Sequence, residues 1–365
     1  MTGPARRQTF AAGPNGDDRV LPFRTDNSGA QGRLVRLGAS VDEILARHDY
    51  PEPVSRILGE ALALTALLGS LLHANGRLIL QTKTDGPLRQ IAINYTSPGQ
   101  LRGLASFDAA GVAALTAEGN IGAAQLLGSG HLAMTIDPGG NQPRTQGIVA
   151  LASNSLAEAA YTYFRQSEQI PTFVRLAVAR HRVRASAGST PGWHWRAGGL
   201  IVQQLPRDVG KGTDASMGSD PGPERSARKE DVAPRGLTPS TPPSTPNPRS
   251  AVIETDDDEV RRAYEEDWSR ARMLASTVED HELLDPTLEP ERLLYRLFAE
   301  EGVRVLDSVD VRAHCGCSRE RVERLLKTFG SAELSDMREP DGSLLVKCEY
   351  CSTEQRFTPE ETQRL

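Results

Sequence analysis

Four cysteines stand near the end of the chain, as Cys315-Gly316-Cys317 and, after thirty intervening residues, as Cys348-Glu349-Tyr350-Cys351; the 314 residues before them contain none. Two close pairs brought together by folding present four sulfurs to one tetrahedral ion, and four thiolates about 2.3 Å from zinc are a standard structural arrangement. The same sulfurs are two potential disulfides. In a reducing compartment, close pairs bind metal or respond to redox change more often than they form permanent crosslinks. Four thiolates also suit an iron–sulfur cluster, but the spacing is not the usual one for those sites. His314, beside Cys315, could replace a sulfur, although four sulfurs already complete a tetrahedron.

Zinc holds its cysteines as thiolates, and the thiolate is the form that oxidants attack. Oxidation therefore removes the ligands and the folding energy that the ion contributes. Each sulfur has a neighbour two or three positions away, which makes pairing quick. A small ring closed within the first pair would be strained and easily reduced. Gly316 permits backbone geometries that other residues resist. An inert structural zinc is the plainer alternative, and spacing alone leaves both open.

The elements that must position these sulfurs follow from the rest of the chain. With 365 residues, two or three domains are expected. The formal charge of −6, with Lys and Arg scattered, gives no basic footprint for nucleic acid. The first residues lack the apolar run of a secretory signal. The most apolar window, 61–72, is too short to cross a bilayer. A cytoplasmic chain without membrane contact is expected.

Residues 1–30, rich in Gly, Asp, Asn and Arg, read as a flexible arm, with structure beginning near Arg33. Residues 31–205 read as one α+β core domain. Within it, Val54, Leu58, Ala61, Leu62, Thr65 and Leu68 repeat at helical spacing behind Pro51 and Pro53. Strands are expected at 78–83 and 88–93 around the turn Thr84-Asp85-Gly86-Pro87, and at 131–136, 147–151, 173–183 and 199–205. Leu156, Ala160 and Phe164 mark a helix between them.

Residues 206–253, with nine of the 24 prolines before residue 250, read as a disordered insertion. Gly210-Lys211-Gly212-Thr213 lacks the first glycine, the hydroxyl residue and the strand-to-helix setting of a phosphate loop. Residues 254–305 form a helical linker region. Val260, Tyr264, Trp268, Ala271 and Ala275, then Leu293, Leu294, Leu297 and Phe298, predict two amphipathic helices separated by Asp285-Pro286 and Pro290. Crowded acidic residues make this stretch depend on packing for its order.

Residues 306–365 carry the sulfurs. Ser318 is a plausible N-cap for a helix striped by Val322, Leu325, Leu326 and Phe329 and closed by Gly330. Residues 344–346 and 355–357 should form a hairpin with Cys348 to Cys351 at its tip. So few large apolar side chains make a poor core, and a metal must supply much of the stability.

The paired cysteines, together with His48-Asp49-Tyr50-Pro51-Glu52-Pro53-Val54, Asp85-Gly86-Pro87, Arg144-Thr145-Gln146-Gly147, the run from Tyr163 to Pro171, Ala197-Gly198-Gly199 and the run from Cys315 to Arg321, resemble the bacterial 33-kDa heat shock protein family. These are redox-regulated holdase chaperones. The resemblance covers about residues 31–205 and 256–360. It implies a zinc ion held by Cys315, Cys317, Cys348 and Cys351 in an inactive reduced form. It further implies oxidation to Cys315–Cys317 and Cys348–Cys351 disulfides, loss of structure in the tail and linker, ATP-independent capture of unfolded clients, and a homodimer when oxidised. The arm before Arg33 and the segment 206–250 are longer than the family pattern.

Two other classes compete. A zinc-knuckle nucleic-acid-binding protein would use Arg319, Arg321 and Arg324, though the interleaved Glu320 and Glu323 favour a solvated face. A thiol–disulfide oxidoreductase would want its Cys-x-x-Cys in a βαβ setting rather than at a hairpin tip. No Ser-His-Asp or paired-carboxylate constellation can be assembled, and His48, His131 and His194 read as packing or surface residues. No enzymatic activity is expected.

Overall fold

The structure, a computed structural model, describes residues 16–119, 121–140, 142–151, 155–183, 192–204 and 253–362. The proposed insertion at 206–253 and the first half of the proposed arm lie almost wholly outside the described residues. The chain starts with β1 (Arg19–Thr25), β2 (Ala30–Leu37), α1 (Ala39–Ala46), α2 (Glu52–Gly69), β3 (Arg77–Thr84), β4 (Leu88–Thr96) and β5 (Gln100–Phe107). It continues with α3 (Ala109–Ala117), α4 (Ala123–Leu127), β6 (Gly130–Asp137), β7 (Thr145–Leu151), α5 (Leu156–Tyr163), β8 (Thr172–Val183) and β9 (Gly192–Gln204). The strands expected from the sequence are present within a few residues of their predicted bounds, except that β9 begins at Gly192, seven residues before the expected start at 199.

Structure begins before Arg33, contrary to the sequence reading. Strand β1 pairs antiparallel with β2 from Arg19↔Arg36 to Arg24↔Gln31. Its other edge takes Val303–Val305 and Val309–Asp310 from the far end of the chain. A short apolar run interrupted by Pro22 and flanked by arginines carries little local signal. Only its outer edge is completed by partners almost three hundred residues away.

Two mostly antiparallel sheets enclose α2. That helix is buried at fourteen positions, all round its circumference, as a helix inside a core must be. The first sheet runs β2-β9-β8 inward from β1, and the second runs β5-β4-β3-β6-β7. Val35, Leu37, Ala197, Ile201 and Val178 of the first sheet face α2 and join one apolar cluster with Leu78, Leu80, Ile91, Ile93 and Leu101 of the second. Alternation along the same strands sends Leu21, Phe23, Leu34, Ala177, Leu200 and Val202 to the opposite face.

That opposite face is covered by the linker from residue 267 onward: the end of α6 (Ile253–Ser276), α7 (Asp280–Leu284) and α8 (Pro290–Phe298). The sequence reading of two helices becomes three. Asp285-Pro286 separates α7 from α8, and Pro290, at the expected boundary, opens α8, because a first-turn proline has no hydrogen bond to lose. Ala271, Ala275, Val278, Leu283, Leu293, Leu294, Leu297 and Phe298 are buried against the sheet. Phe23 and Phe298 meet ring to ring at 5.2 Å. Residues 267–362 belong to the same compact unit as the chain up to residue 204. The earlier part of α6 belongs to a separate unit and is largely polar, with Arg261 paired to Asp258 at 3.0 Å.

Two adjacent glycines let helices approach the first sheet from both sides. A Cβ on Gly199 would meet Leu67 of α2 at 3.0 Å, whereas a Cβ on Gly198 would meet the Leu283 carbonyl oxygen of α7 at 2.5 Å. On either side of Leu283, two buried arginines grip the helix end. Arg36 donates to the Glu282 carbonyl at 2.8 Å and to the Leu288 carbonyl, and Arg196 donates to the Leu284 carbonyl at 2.8 Å. Arg196 also forms a two-pronged pair with Asp17 at 2.6 and 2.7 Å, with Asp17 6% and Arg196 9% exposed.

From α8 the chain passes along β1 as β10 (Val303–Val305) and β11 (Val309–Asp310), then crosses to the second sheet as β12 (Arg312–Ala313), parallel to β5. The tail follows: α9 (Arg319–Leu326), α10 (Ser331–Asp336), β13 (Leu344–Lys347), β14 (Glu354–Phe357) and α11 (Pro359–Thr362). The chain has the expected class, a mixed α+β core with a helical linker region and a small C-terminal cysteine-bearing module. Among the described residues, no helix is long and apolar enough to cross a membrane.

Candidate metal centre

The hairpin holds one sulfur pair. β13 and β14 pair in register from Leu344↔Phe357 to Lys347↔Glu354, leaving residues 348–353 as the tip. The Cys348 amide donates to the Thr353 carbonyl at 3.0 Å, and the Ser352 amide donates to the Cys348 carbonyl at 2.8 Å. These bonds wrap the knuckle so that both sulfurs point one way.

The other pair is set by β12 and α9. The His314 amide donates to the Leu101 carbonyl at 2.8 Å, which fixes Cys315 beside the second sheet. Ser318 caps α9 by accepting from the Arg321 amide at 3.3 Å, as its residue type predicts. The Gln355 side chain donates to the Cys317 carbonyl at 2.8 Å and ties this turn to the hairpin. Gly330 does not close α9, which ends at Leu326 with Lys327 as its C-cap. It is instead the N-cap of α10, which periodicity had not marked.

All four sulfurs lie within 4.8 Å of one another, with Cys315 3.7 Å from Cys348 and Cys317 3.1 Å from Cys351. Tetrahedral sulfurs about 2.3 Å from a zinc ion would be about 3.8 Å apart, so the donor set fits that ion. The protonation pattern leads to the same fit. Burial, then hydrogen bonds shared with Cys351 and Cys315, pushes the Cys317 thiol far up. Burial also raises Cys348. At Cys351 burial acts upward too, but hydrogen bonds to Thr353 and Cys317 outweigh it and bring the thiol down to about 6. Four sulfurs this close cannot all ionise without a cation among them. His314 is exposed and, among the described residues, lies outside the sulfur group.

The core supplies contacts that periodicity does not reveal. Arg102 of β5 points Nη1 at Cys315 Sγ, 3.8 Å away, and lies over the Tyr350 ring at 4.2 Å. Asn94, turned so that its oxygen faces Arg102, accepts from Nε at 3.1 Å and from Nη2 at 2.8 Å. His48 lies 3.4 Å from the Tyr350 carbonyl and 3.3 Å from the Ser352 hydroxyl. Only the His48-Asp49-Tyr50 run had stood out in sequence.

The tail's own core is small: Leu326, Leu334, Leu344 and Phe357, with Val322, Phe329 and Val346 partly buried against them. Leu325, expected in the apolar stripe, is 55% exposed. Arg319 pairs with Glu361 at 2.7 Å and lies over the Phe357 ring at 4.2 Å.

Residues 18–358 match the sequence family described as Hsp33 protein. The chain belongs to the Hsp33 family. Similar proteins include the 33 kDa chaperonin of Caulobacter vibrioides (strain NA1000 / CB15N), 39% identical over 345 residues, covering 94% of this chain and 95% of that one. The 33 kDa chaperonin of Nitrosococcus oceani is 32% identical over 351 residues, covering 96% and 95%. The fold is similar to the crystal structure of the 33 kDa chaperonin of Thermotoga maritima, with a TM-score of 0.64 at 22% identity, covering 95% of this chain and 97% of that one. The Hsp33 resemblance read from the cysteine spacing is therefore the chain's family.

Proposed function

We propose that this chain is an ATP-independent holdase chaperone that its own linker keeps inactive and that oxidation of the four-cysteine tail releases. The observation that carries the proposal is the burial of α6, α7 and α8 on the second apolar face of the first sheet. Leu21, Phe23, Leu34, Leu200 and Val202, once uncovered, would present an apolar patch of the kind that marks interaction surfaces. Unfolded clients expose the complementary surface.

Cys315, Cys317, Cys348 and Cys351 would hold a zinc ion, which in small modules contributes about 10 to 16 kcal/mol of folding energy and keeps its sulfurs ionised. Without that contribution the tail is marginal. Its four buried apolar side chains are worth about 1.5–3 kcal/mol each.

The oxidation balances with a peroxide. One thiolate attacks a peroxide oxygen, breaking the O–O bond and releasing hydroxide to give a sulfenic acid; the neighbouring thiolate then displaces hydroxide from that sulfur, so one S–S bond forms for each peroxide and each two electrons transferred. Two peroxides give Cys315–Cys317 and Cys348–Cys351 and leave no thiolate as a ligand. The tail then loses order. Because β12, β11 and β10 connect it directly to α8, the linker loses its C-terminal anchor as well. The exposed face favours a homodimer of the oxidised form.

The test is suppression of aggregation of a thermally unfolded client by reduced protein and by protein treated with peroxide and heat. Activity confined to the treated sample is expected. Equal activity in both states, or none in either, would remove the proposal.

A further inference from the structure

The second sheet turns a polar face toward the tail, and its register gathers cations there. Arg77 pairs across to Thr96, which pairs to Gln100; two residues along, Ile79 pairs to Asn94, which pairs to Arg102. Cross-strand partners share a face, so Arg77 and Arg102 stand on the side opposite Leu78, Leu80 and Leu101. The tail folds over this face and adds His314 and Arg321. Together they line a cavity of about 330 Å³, and no carboxylate is among its lining residues. A neighbouring hollow of about 660 Å³ shares Arg102 and Arg321, adds Arg324 and also lacks a carboxylate.

Like charges assembled by folding repel, and in a chain of net charge −6 such a concentration is local. Among the described residues, Arg77, Arg321 and Arg324 form no ion pair with a carboxylate, whereas Arg102 faces Cys315 Sγ at 3.8 Å. Asp137, the acid across from Arg77, pairs with Arg144 at 3.0 Å and interacts with Arg77 only at longer range. Guanidinium groups match phosphate oxygens in two-pronged geometry. At about 30 Å³ per water, the smaller cavity holds roughly ten waters, enough for two linked phosphates.

We propose that this cavity binds a small anion carrying two or more phosphate groups. Arg77 grips it from the core and Arg321 from the tail, with Arg102, held by Asn94 and Cys315, adding positive charge behind them and His314 lining the wall. Bound there, the anion bridges core and tail and holds the docked, reduced form. The binding claim stands on the cavity alone; the consequence for opening rests on the redox reading above.

Calorimetric titration of the reduced, zinc-loaded full chain with inorganic pyrophosphate, at fixed ionic strength and with zinc content measured before and after, tests the site. Saturable one-to-one binding is expected, weakened at least about tenfold in the Arg77→Ala/Arg321→Ala variant, whose two substituted side chains are exposed in the parent. Equal affinity in parent and variant would overturn the proposal, as would heat that tracks only zinc loss. Tighter binding of a short single-stranded oligonucleotide than of pyrophosphate would also overturn it.

With pyrophosphate at ten times the parent's Kd, peroxide-driven thiol loss should slow about tenfold in the parent and at most about twofold in the variant. An unchanged parent rate despite binding would refute the bridge. Parent thiols that resist peroxide even without pyrophosphate would instead indict the redox reading and leave the binding result intact.

Discussion

Replacing Gly198 with alanine should undock the linker without touching the cysteines. The added Cβ would sit 2.5 Å from the Leu283 carbonyl oxygen and 2.9 Å from its Cβ, and the helix backbone cannot yield as a side chain tip can. Relief requires α7 to move out by about 1 Å, toward an ordinary contact near 3.5 Å. That motion stretches two guanidinium hydrogen bonds that now measure 2.8 Å, from Arg36 to Glu282 and from Arg196 to Leu284. Each such bond is worth about 1.5–3 kcal/mol, and the fully buried Leu283 contributes about 1.5–3 kcal/mol more. With partial relaxation, a net loss of about 3 kcal/mol is expected, a shift of roughly a hundredfold in the docked-to-undocked ratio. Hydrogen exchange on the reduced, zinc-loaded variant should show faster exchange across residues 267–298, accompanied by holdase activity without oxidant. Gly199→Ala is the control: it presses on Leu67 and Leu176 of the other face and should lower global stability while leaving the linker covered. If reduced Gly198→Ala keeps the parent's protection at α7 and stays inactive, the covering role assigned to the linker is wrong.

Arg196→Met should cost about 3–5 kcal/mol in thermal or denaturant unfolding, because it strands Asp17 as a buried charge; adding Asp17→Asn should restore part of it, and full additivity of the two would contradict a direct pair. Glu60 of α2 is pushed up to about 7 by burial first and by Asp280 of α7 second, against Arg56. Its folded-state pKa lies above the unfolded value of 4.5, so its contribution favours the docked fold in acid and is lost as pH rises through about 7. Denaturation midpoints should therefore fall between about pH 4.5 and pH 7 in the parent and less so in Glu60→Gln; identical slopes would show that Glu60 does not matter. Tyr350→Ala removes the ring under Arg102, a contact worth about 0.5–1 kcal/mol, and should speed peroxide oxidation of the thiols two- to fivefold; an unchanged rate would mean that the knuckle is not held by the core.

Local chemistry made part of this molecule legible. The cysteine pairs, the Ser318 cap, the helical stripe of α2 and the period-2 strands each depend on neighbours within a few residues. The positions that escaped depend on distant ones. β1 is completed at its outer edge by β10 and β11, Arg102 reaches Cys315 over more than two hundred residues, and the two arginines that grip α7 come from β2 and β9. Arg36 is only 1% exposed, against the usual habit of arginine, and nothing in its neighbours announces this. Gly198 and Gly199 were visible as a motif, but their assignment to opposite faces required the register. Gly330 misled because glycine serves at either end of a helix, and only the reach of Glu333 back to its amide at 2.8 Å shows which.

The most direct test follows sulfur state and linker order in one sample. Zinc, free thiols and amide hydrogen exchange are measured on the full chain before and after peroxide with mild heat. The account predicts that loss of four thiols, release of the metal and loss of protection at residues 267–298 and 312–362 rise together. Protection that persists across α6 to α8 after the sulfurs have paired would contradict it.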